Sequence, residues 1–445
     1  MEPLFANTFP SANKAAWMTQ VQKELKNEST YESLQWQTDE GIVTEPYYTA
    51  AELSDLPLDT IQKAQKTVPG WLNAPEYQVT DEKSTNVQIK EARSQGADAI
   101  VLDLPAANTN VAQLLNGIKL SETPVFFRAA ASTGDPVTFI KTLQNIAPYQ
   151  LKGGLLMDST DAIAEITRLT ADSPQFRTVC TTSHVFHNAG ATAAQELAFT
   201  MAALADTYND LIERGLSPEQ LIQKTILSVS VGTSYFLEIA KLRALRVLLN
   251  RFLSAYDPDL PPAPCPVLVH CQTSTFYDAA VTPYTNLLRA TTEAMAAVIG
   301  GCDVLTVHPY NTILNTTVES GDHVFAERIA RNVSILLKDE SHLDKVADPA
   351  AGSYYVENLT HQLTEAAWLL FTKVKEDGGY RKVLLSGFIQ HEIEQSYQAR
   401  LEAIRTGKVL VGVTKFRSDE TTAEKKTLSP ENSLFPRHRL AENFE

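Results

Sequence analysis

A TIM-type (β/α)8 barrel, carried within an α/β chain of 445 residues, is the fold class the sequence predicts. Three observations predict it. Eight short, apolar, β-favouring runs recur between residues 99 and 348. Amphipathic, helix-favouring stretches lie between most of them, and parallel strands need such crossovers. Eight is also the number that closes this kind of barrel, with an open doubly wound sheet as the alternative. No G-x-G-x-x-G or Walker loop follows any run, which counts against a nucleotide-binding sheet.

The chain opens with an N-terminal arm over residues 1–65. Ser11 to Lys26 has Ala15, Ala16, Val21 and Leu25 near helical spacing behind a possible cap at Ser11. Pro46, Tyr47, Tyr48 and Pro57 follow, in material that needs something to lie against. The barrel is assigned to residues 66–415. Its strands are read as 99–104, 124–129, 153–158, 176–181, 225–231, 266–271, 303–307 and 345–348. Long helices are expected over 193–214 and 235–255. Residues 416–445 carry Thr-Thr, Lys-Lys, Ser-Pro and Asn-Ser neighbours and read as a polar C-terminal tail or linker. No repeat of solenoid period appears.

Composition narrows the partners. Hydrophobic residues are 44% and charged residues 20%, ordinary for a globular protein. A net charge of -15 argues against nucleic acid and anionic membrane, because phosphate is repelled at long range. No run is long enough to span a bilayer, and the N-terminus lacks a signal pattern. Cys180, Cys265, Cys271 and Cys302 lack paired metal spacing and read as buried free thiols of a cytoplasmic, reduced protein.

Several segments carry more than composition. Ser183 to Glu196 reads S-H-V-F-H-N-A-G-A-T-A-A-Q-E, a strand end entering a long helix. Phe236–Arg243 reads F-L-E-I-A-K-L-R, and His270–Ser274 reads H-C-Q-T-S. Pro283–Ala297, Glu327–Val333 (E-R-I-A-R-N-V) and Asp348–Glu357 (D-P-A-A-G-S-Y-Y-V-E) follow. Gly412–Phe416 (G-V-T-K-F) and Phe435–Glu442 (F-P-R-H-R-L-A-E) complete the set. Together these resemble the cobalamin-dependent methylmalonyl-CoA mutase family, in family order over roughly the last 260 residues. The resemblance implies a TIM-like barrel whose open end meets a separate cobalamin domain. It also implies a radical isomerisation in which the cofactor carries the hard step and the protein binds, orients and shields.

The same resemblance exposes losses. Working members carry a His in a pattern like Y-H-M-Q-E-A-G-A. Aligned on Ala189-Gly190-Ala191, that position is Val185, which can neither donate a proton nor accept one. His184 and His187 are weak substitutes, one residue before and two after. On a strand or turn a one-residue shift reverses direction. The family's R-Q-Y-A-G-F loop is missing; Tyr77, in A-P-E-Y-Q, is the nearest candidate and reads better as a surface or interface tyrosine. The cobalt-ligating D-x-H-x-x-G motif occurs nowhere in this sequence. Phe126-Phe127, Leu155-Leu156-Met157 and Val267-Leu268-Val269 put bulky groups on both strand faces, so some layers of the bore should be filled.

Other candidates read as structural. His270-Cys271 has no second ligand at metal spacing. Ser228 and Ser230 with Gly232 suit a tight strand end. Asp103 and Asp158 end strands where barrel enzymes place catalysis, but suit capping as well. Arg243, Arg246, Arg328 and Arg331 read as ion-paired surface groups on helices. The expectation is a non-catalytic small subunit of a heterodimeric methylmalonyl-CoA mutase. It would have no catalytic residue and bind no cofactor or metal itself. Adenosylcobalamin would sit on a large catalytic partner, and acyl-CoA binding by this chain is doubtful. The alternative is the substrate-binding chain of a split mutase whose cobalamin domain is a separate protein.

Overall fold

The computed structural model describes residues 13–25, 30–104, 109–129, 135–157, 161–256, 266–315, 321–418 and 434–445. Parallel strands pair in two five-stranded sheets. One sheet starts at Leu72–Asn73 and ends at Val179–Thr182; the other starts at Glu76–Gln78 and ends at Phe176–Arg177. The two sheets are thus bounded by the same two runs of chain. Between them lie Ile100–Leu104, Val125–Ala129 and Gly153–Leu155 on one side. Thr225–Val231, Leu268–Thr273 and Val304–Thr306 lie on the other. Eight runs therefore follow one another in ring order, although no single ladder closes, because pairing is interrupted at Ala74–Pro75 and at Thr178. Pro75 has no N–H to give a ladder.

Seven expected strands are present, shifted by a few residues at their ends. The eighth is a correction. Residues 345–348 form no strand, and the missing one is Leu72–Gln78 at the start of the barrel. Its Asn, Pro, Glu and Gln hid it from a search for apolar runs. Gly153 lies in the tightest neighbourhood of the ring. A Cβ there would come within 2.0 Å of the Val125 carbonyl oxygen on the next strand, so only glycine fits.

The two largest apolar clusters fill separate spaces. The larger core lies between strands and outer helices; Phe127 meets Phe139 of helix Pro136–Ile146, and the cluster extends through Ala193–Glu213, Tyr235–Tyr256 and Tyr354–Glu376. A second cluster lies inside the ring. Ala74, Val101, Phe126, Leu156, Cys180, Ile226 and Val304 form it, with Leu72 and Leu268 packed against it. Each of the eight strands contributes, so this layer plugs the lower bore.

The arm and tail also need correction. The first helix is Lys14–Glu24, capped by the Asn13 side chain; Ser11 lies outside the described residues. No residue of that helix is buried, but the rest of the arm lies on its own chain. Glu40 accepts from the Ala193 amide at 3.0 Å, and Gln62 donates to Glu357 at 3.1 Å. Residues 434–445 are packed structure rather than tail, with Ala441 fully buried. Among the described residues no helix is long and apolar enough to cross a membrane.

Candidate functional site

Above the apolar plug the bore turns polar. His184 places Nε2 2.7 Å from Ser228 Oγ and Nδ1 2.8 Å from Ser230 Oγ. Ser228 Oγ is also 2.7 Å from His270 Nδ1, and His270 Nε2 is 3.0 Å from Thr306 Oγ1. Thr306 donates to the Ala74 carbonyl at 2.7 Å. That last bond sets the direction of the whole chain. Thr306 must accept from His270 Nε2–H, so His270 Nδ1 accepts from Ser228. Ser228 in turn accepts from His184 Nε2–H, and Ser230 donates to His184 Nδ1. With both imidazoles neutral, as burial favours, each is held in the Nε2–H tautomer.

The electrostatics agree. Burial first, then the nearby Arg128 charge, hold His184 well below its usual range and push His270 down to about 3. His308 is pushed down to about 4 by burial, with Glu76 opposing. Arg128 pairs with Glu76, two strands away, and donates across the ring to Gln272 Oε1 at 2.9 Å. This ion pair and the amide lie near the imidazoles, where Arg128 acts electrically on both rings. Phe126 stacks beneath His270, ring centres 6.4 Å apart.

His187 belongs to a different cluster. Its Nδ1 lies 2.6 Å from Glu196 and its Nε2 2.6 Å from Ser274 Oγ. Glu196 also meets Lys241 at 3.2 Å, and Lys241 meets Glu238 at 2.6 Å. Burial works to raise the Glu196 carboxyl, but Lys241 and His187 outweigh it and keep it ionised. Ser274, His187 and Glu196 stand in the order of a hydrolytic triad. Ser274 is nevertheless buried and already accepts the Phe276 amide at 3.1 Å, so an acyl group has no approach. The network joins the strand ends to helices Ala193–Glu213 and Tyr235–Tyr256.

Val185 lies elsewhere. The segment before Ala189 is a short helix, His184–Ala189, ended by Gly190 at φ 101°. Successive residues there turn by a helical step instead of alternating, so His184 enters the bore while Val185 is 40% exposed on the outside. Tyr77 corrects a second expectation. It is 5% exposed and faces helix Gly321–Asp339, not the surface and not the bore; Glu76 takes the inward place. Asp103 stands in register with Arg128, and Asp158 lies outside the described residues.

Ser228 and Ser230 face the imidazoles, and Cys271 points into the outer core. Arg243 and Arg246 are buried, not surface groups. Arg243 holds Asp348 and Glu357, and Arg246 reaches Asp303 at 3.0 Å. Arg331 is buried as well, whereas Arg328 lies over Phe325. The inward places of Arg128, Glu76, Gln272 and His308 were missed. For Arg128 a signal existed: two residues after the inward Phe126, it shares that face. Among the described residues no group of three His, Cys, Asp or Glu could hold a metal.

Comparison with known proteins gives a consistent result. A family model described as methylmalonyl-CoA mutase matches residues 146–442. The methylmalonyl-CoA mutase small subunit of Porphyromonas gingivalis is 30% identical over 96% of this chain and 73% of its own length. The methylmalonyl-CoA mutase small subunit of Streptomyces virginiae is 29% identical over 92% of this chain and 71% of its own. The methylmalonyl-CoA mutase of Cereibacter sphaeroides is 29% identical, and this chain spans 64% of its length.

Proposed function

The chain belongs to the methylmalonyl-CoA mutase family, and from that premise we propose that it is the non-catalytic small subunit of a two-chain mutase, stabilising a catalytic large partner. One observation carries the reading: side chains occupy the bore at two levels. A side-chain layer from all eight strands fills its lower part, and the Arg128–Glu76–Gln272 set spans its upper part. Both levels stand in the path that a threaded acyl-thioester arm would take, which supports the reading. Val185 adds support, because it faces outward where working relatives have a His.

Residues 437–440 lie over the strand ends, bonded to Asn188, Thr275 and Phe276, which supports the reading that adenosylcobalamin sits on the partner. No step through that cofactor is assigned to this chain. The partner surface is proposed to include the arm, which leaves Trp36, Val43 and Tyr47 exposed.

The reading is tested with the purified chain, adenosylcobalamin and methylmalonyl-CoA. No succinyl-CoA should form, and Val185→His should not change that. Added to a large mutase chain from the same source, it should co-elute and raise that chain's melting temperature. Turnover by this chain alone overturns the proposal, as does failure to bind the large chain. One observation favours the split-mutase alternative: a histidine, His184, does stand in the bore. Mixing with a separate cobalamin protein and assaying several acyl-CoAs decides between the two.

A further inference from the structure

Helix Lys14–Glu24 has 11 residues and none of them is buried. A helix of that length is marginal in water, so this one depends on what it lies against. Trp17, Met18, Val21 and Leu25 fall within one side of it at helical spacing, and all four are half-buried. Lys14 and Trp17 tie it to the chain. Lys14 pairs with Glu52 and lies 5.7 Å from the centre of the Tyr48 ring. Trp17 packs on Tyr47 and on Tyr31, ring centres 5.0 Å and 6.3 Å apart. From there a seam of rings continues onto the barrel. Tyr48 packs on Tyr355 at 5.4 Å, and Tyr355 on Phe236 at 5.6 Å. Tyr355 stands at the start of helix Tyr354–Glu376 and Phe236 at the start of helix Tyr235–Tyr256. Although arm and body meet along this seam, Tyr47 keeps 46% of its surface in solvent and Phe236 keeps 50%. The charge around it is one-sided. Residues 27–62 contain eight Asp or Glu and no Lys or Arg. Asp39, Glu52 and Asp59 pair with cations from outside that run. Glu32, Glu45 and Asp55 have no cation partner among the described residues, and Glu45 instead accepts from the Tyr31 hydroxyl at 2.5 Å.

We propose that this aromatic seam is the surface that the large mutase chain covers, with lysines and arginines of that chain facing Glu32, Glu45 and Asp55 around a central contact on Tyr47 and Phe236. The inference rests on the small-subunit reading and adds which face of the body is used and which charge the other side carries. Tyrosine and tryptophan bring large area at a small entropic cost, which suits the centre of an interface. Contact there would also bury the apolar side of helix Lys14–Glu24, which this chain leaves half open. Charge selects the occupant. A second copy would meet this face across a two-fold axis and set Glu32, Glu45 and Asp55 against themselves. Like charges placed that way oppose association. A different protein face, with cations around an apolar patch, is attracted at long range and matches at contact.

Surface plasmon resonance with the large mutase chain from the same source tests it. The parent should bind, and its association rate should fall roughly tenfold between about 20 mM and about 300 mM salt. Tyr47→Ser/Phe236→Ser should raise Kd on the order of tenfold or more, mainly through faster dissociation, with its own melting temperature unchanged. Glu32→Lys/Asp55→Lys should slow association and flatten the salt dependence. Leu288→Ser/Leu385→Ser removes two exposed side chains on other helices and should leave Kd where it was. If the parent binds and Tyr47→Ser/Phe236→Ser binds equally well, the seam is rejected while the small-subunit reading stands. If the parent does not bind, both fall. A parent that dimerises alone, and whose dimer Tyr47→Ser/Phe236→Ser dissolves, overturns the choice of partner. Should that double variant melt early, Glu32→Lys/Asp55→Lys decides, because both carboxylates are exposed; an unchanged association rate there rejects the seam.

Discussion

Glu196 and Lys241 meet at 3.2 Å with both side chains out of water. One comes from the A-G-A-T-A-A-Q-E segment and the other from F-L-E-I-A-K-L-R, so two motifs that identify the family clasp each other. Lys241 also donates to the Ser230 carbonyl at 2.9 Å, directly behind the imidazole chain. Both motifs thus have a structural role in this chain.

Removing one side of that pair should be costly. Glu196→Gln leaves Lys241 short of one carboxylate and His187 without its anionic partner. The expected loss is about 3–5 kcal/mol, the usual consequence of breaking a buried ion pair. Urea unfolding at neutral pH measures it. A loss under about 1 kcal/mol would show that the network relaxes around the gap.

Stability should fall toward acid, and the bore histidines set the window. His270 and His308 are held at about 3 and about 4, below the ordinary 6.5. The folded state thus binds fewer protons than the unfolded chain below pH 6.5. Their contribution is complete above that value and is lost as pH falls toward 4 and 3. Asp278 works in the other direction, because burial raises its carboxyl from 3.8 to about 7. Its contribution is present below 3.8 and is lost as pH rises through 7. Urea midpoints of His308→Gln should fall less between pH 7 and pH 4.5 than those of the parent. Asp278→Asn should gain on the parent steadily from pH 4 to pH 7. Parallel curves for parent and variants would refute both assignments.

Gly190→Ala should destabilise by more than about 1 kcal/mol. Gly190 ends the short helix at φ 101°, in the left-handed region. A Cβ there would lie 2.7 Å from Tyr397 Cβ, so strain and collision add. A thermal melt measures the loss, and faster amide exchange at residues 189–192 should accompany it. An unchanged melting temperature would mean that the turn rebuilds itself.

Much of the frame was legible. Thr225–Val231 is an uninterrupted β-favouring run, and the alternation of such runs with amphipathic helices predicted parallel pairing. The capping box of Thr192 with Gln195 opens helix Ala193–Glu213 close to the expected residue. Leu72–Gln78 was not legible, since its pairing comes from neighbours far along the chain and its side chains are half polar. Residues 434–445 were misread for a similar reason. Arg437 and Arg439 look like a solvated tail until Thr275, the Asp278 carbonyl and Glu445 are seen around them.

By itself the sequence determined the family and the strand–helix alternation. Those depend on residue identity and local periodicity, which the chain carries in one dimension. Only the tertiary structure decided that His184 enters the bore while Val185 leaves it, that Arg128 pairs with Glu76 near the imidazoles, and that the last segment lies over the strand ends. Each of those is a contact between residues distant in sequence, fixed by ring order and by the need to pair charge once it leaves water.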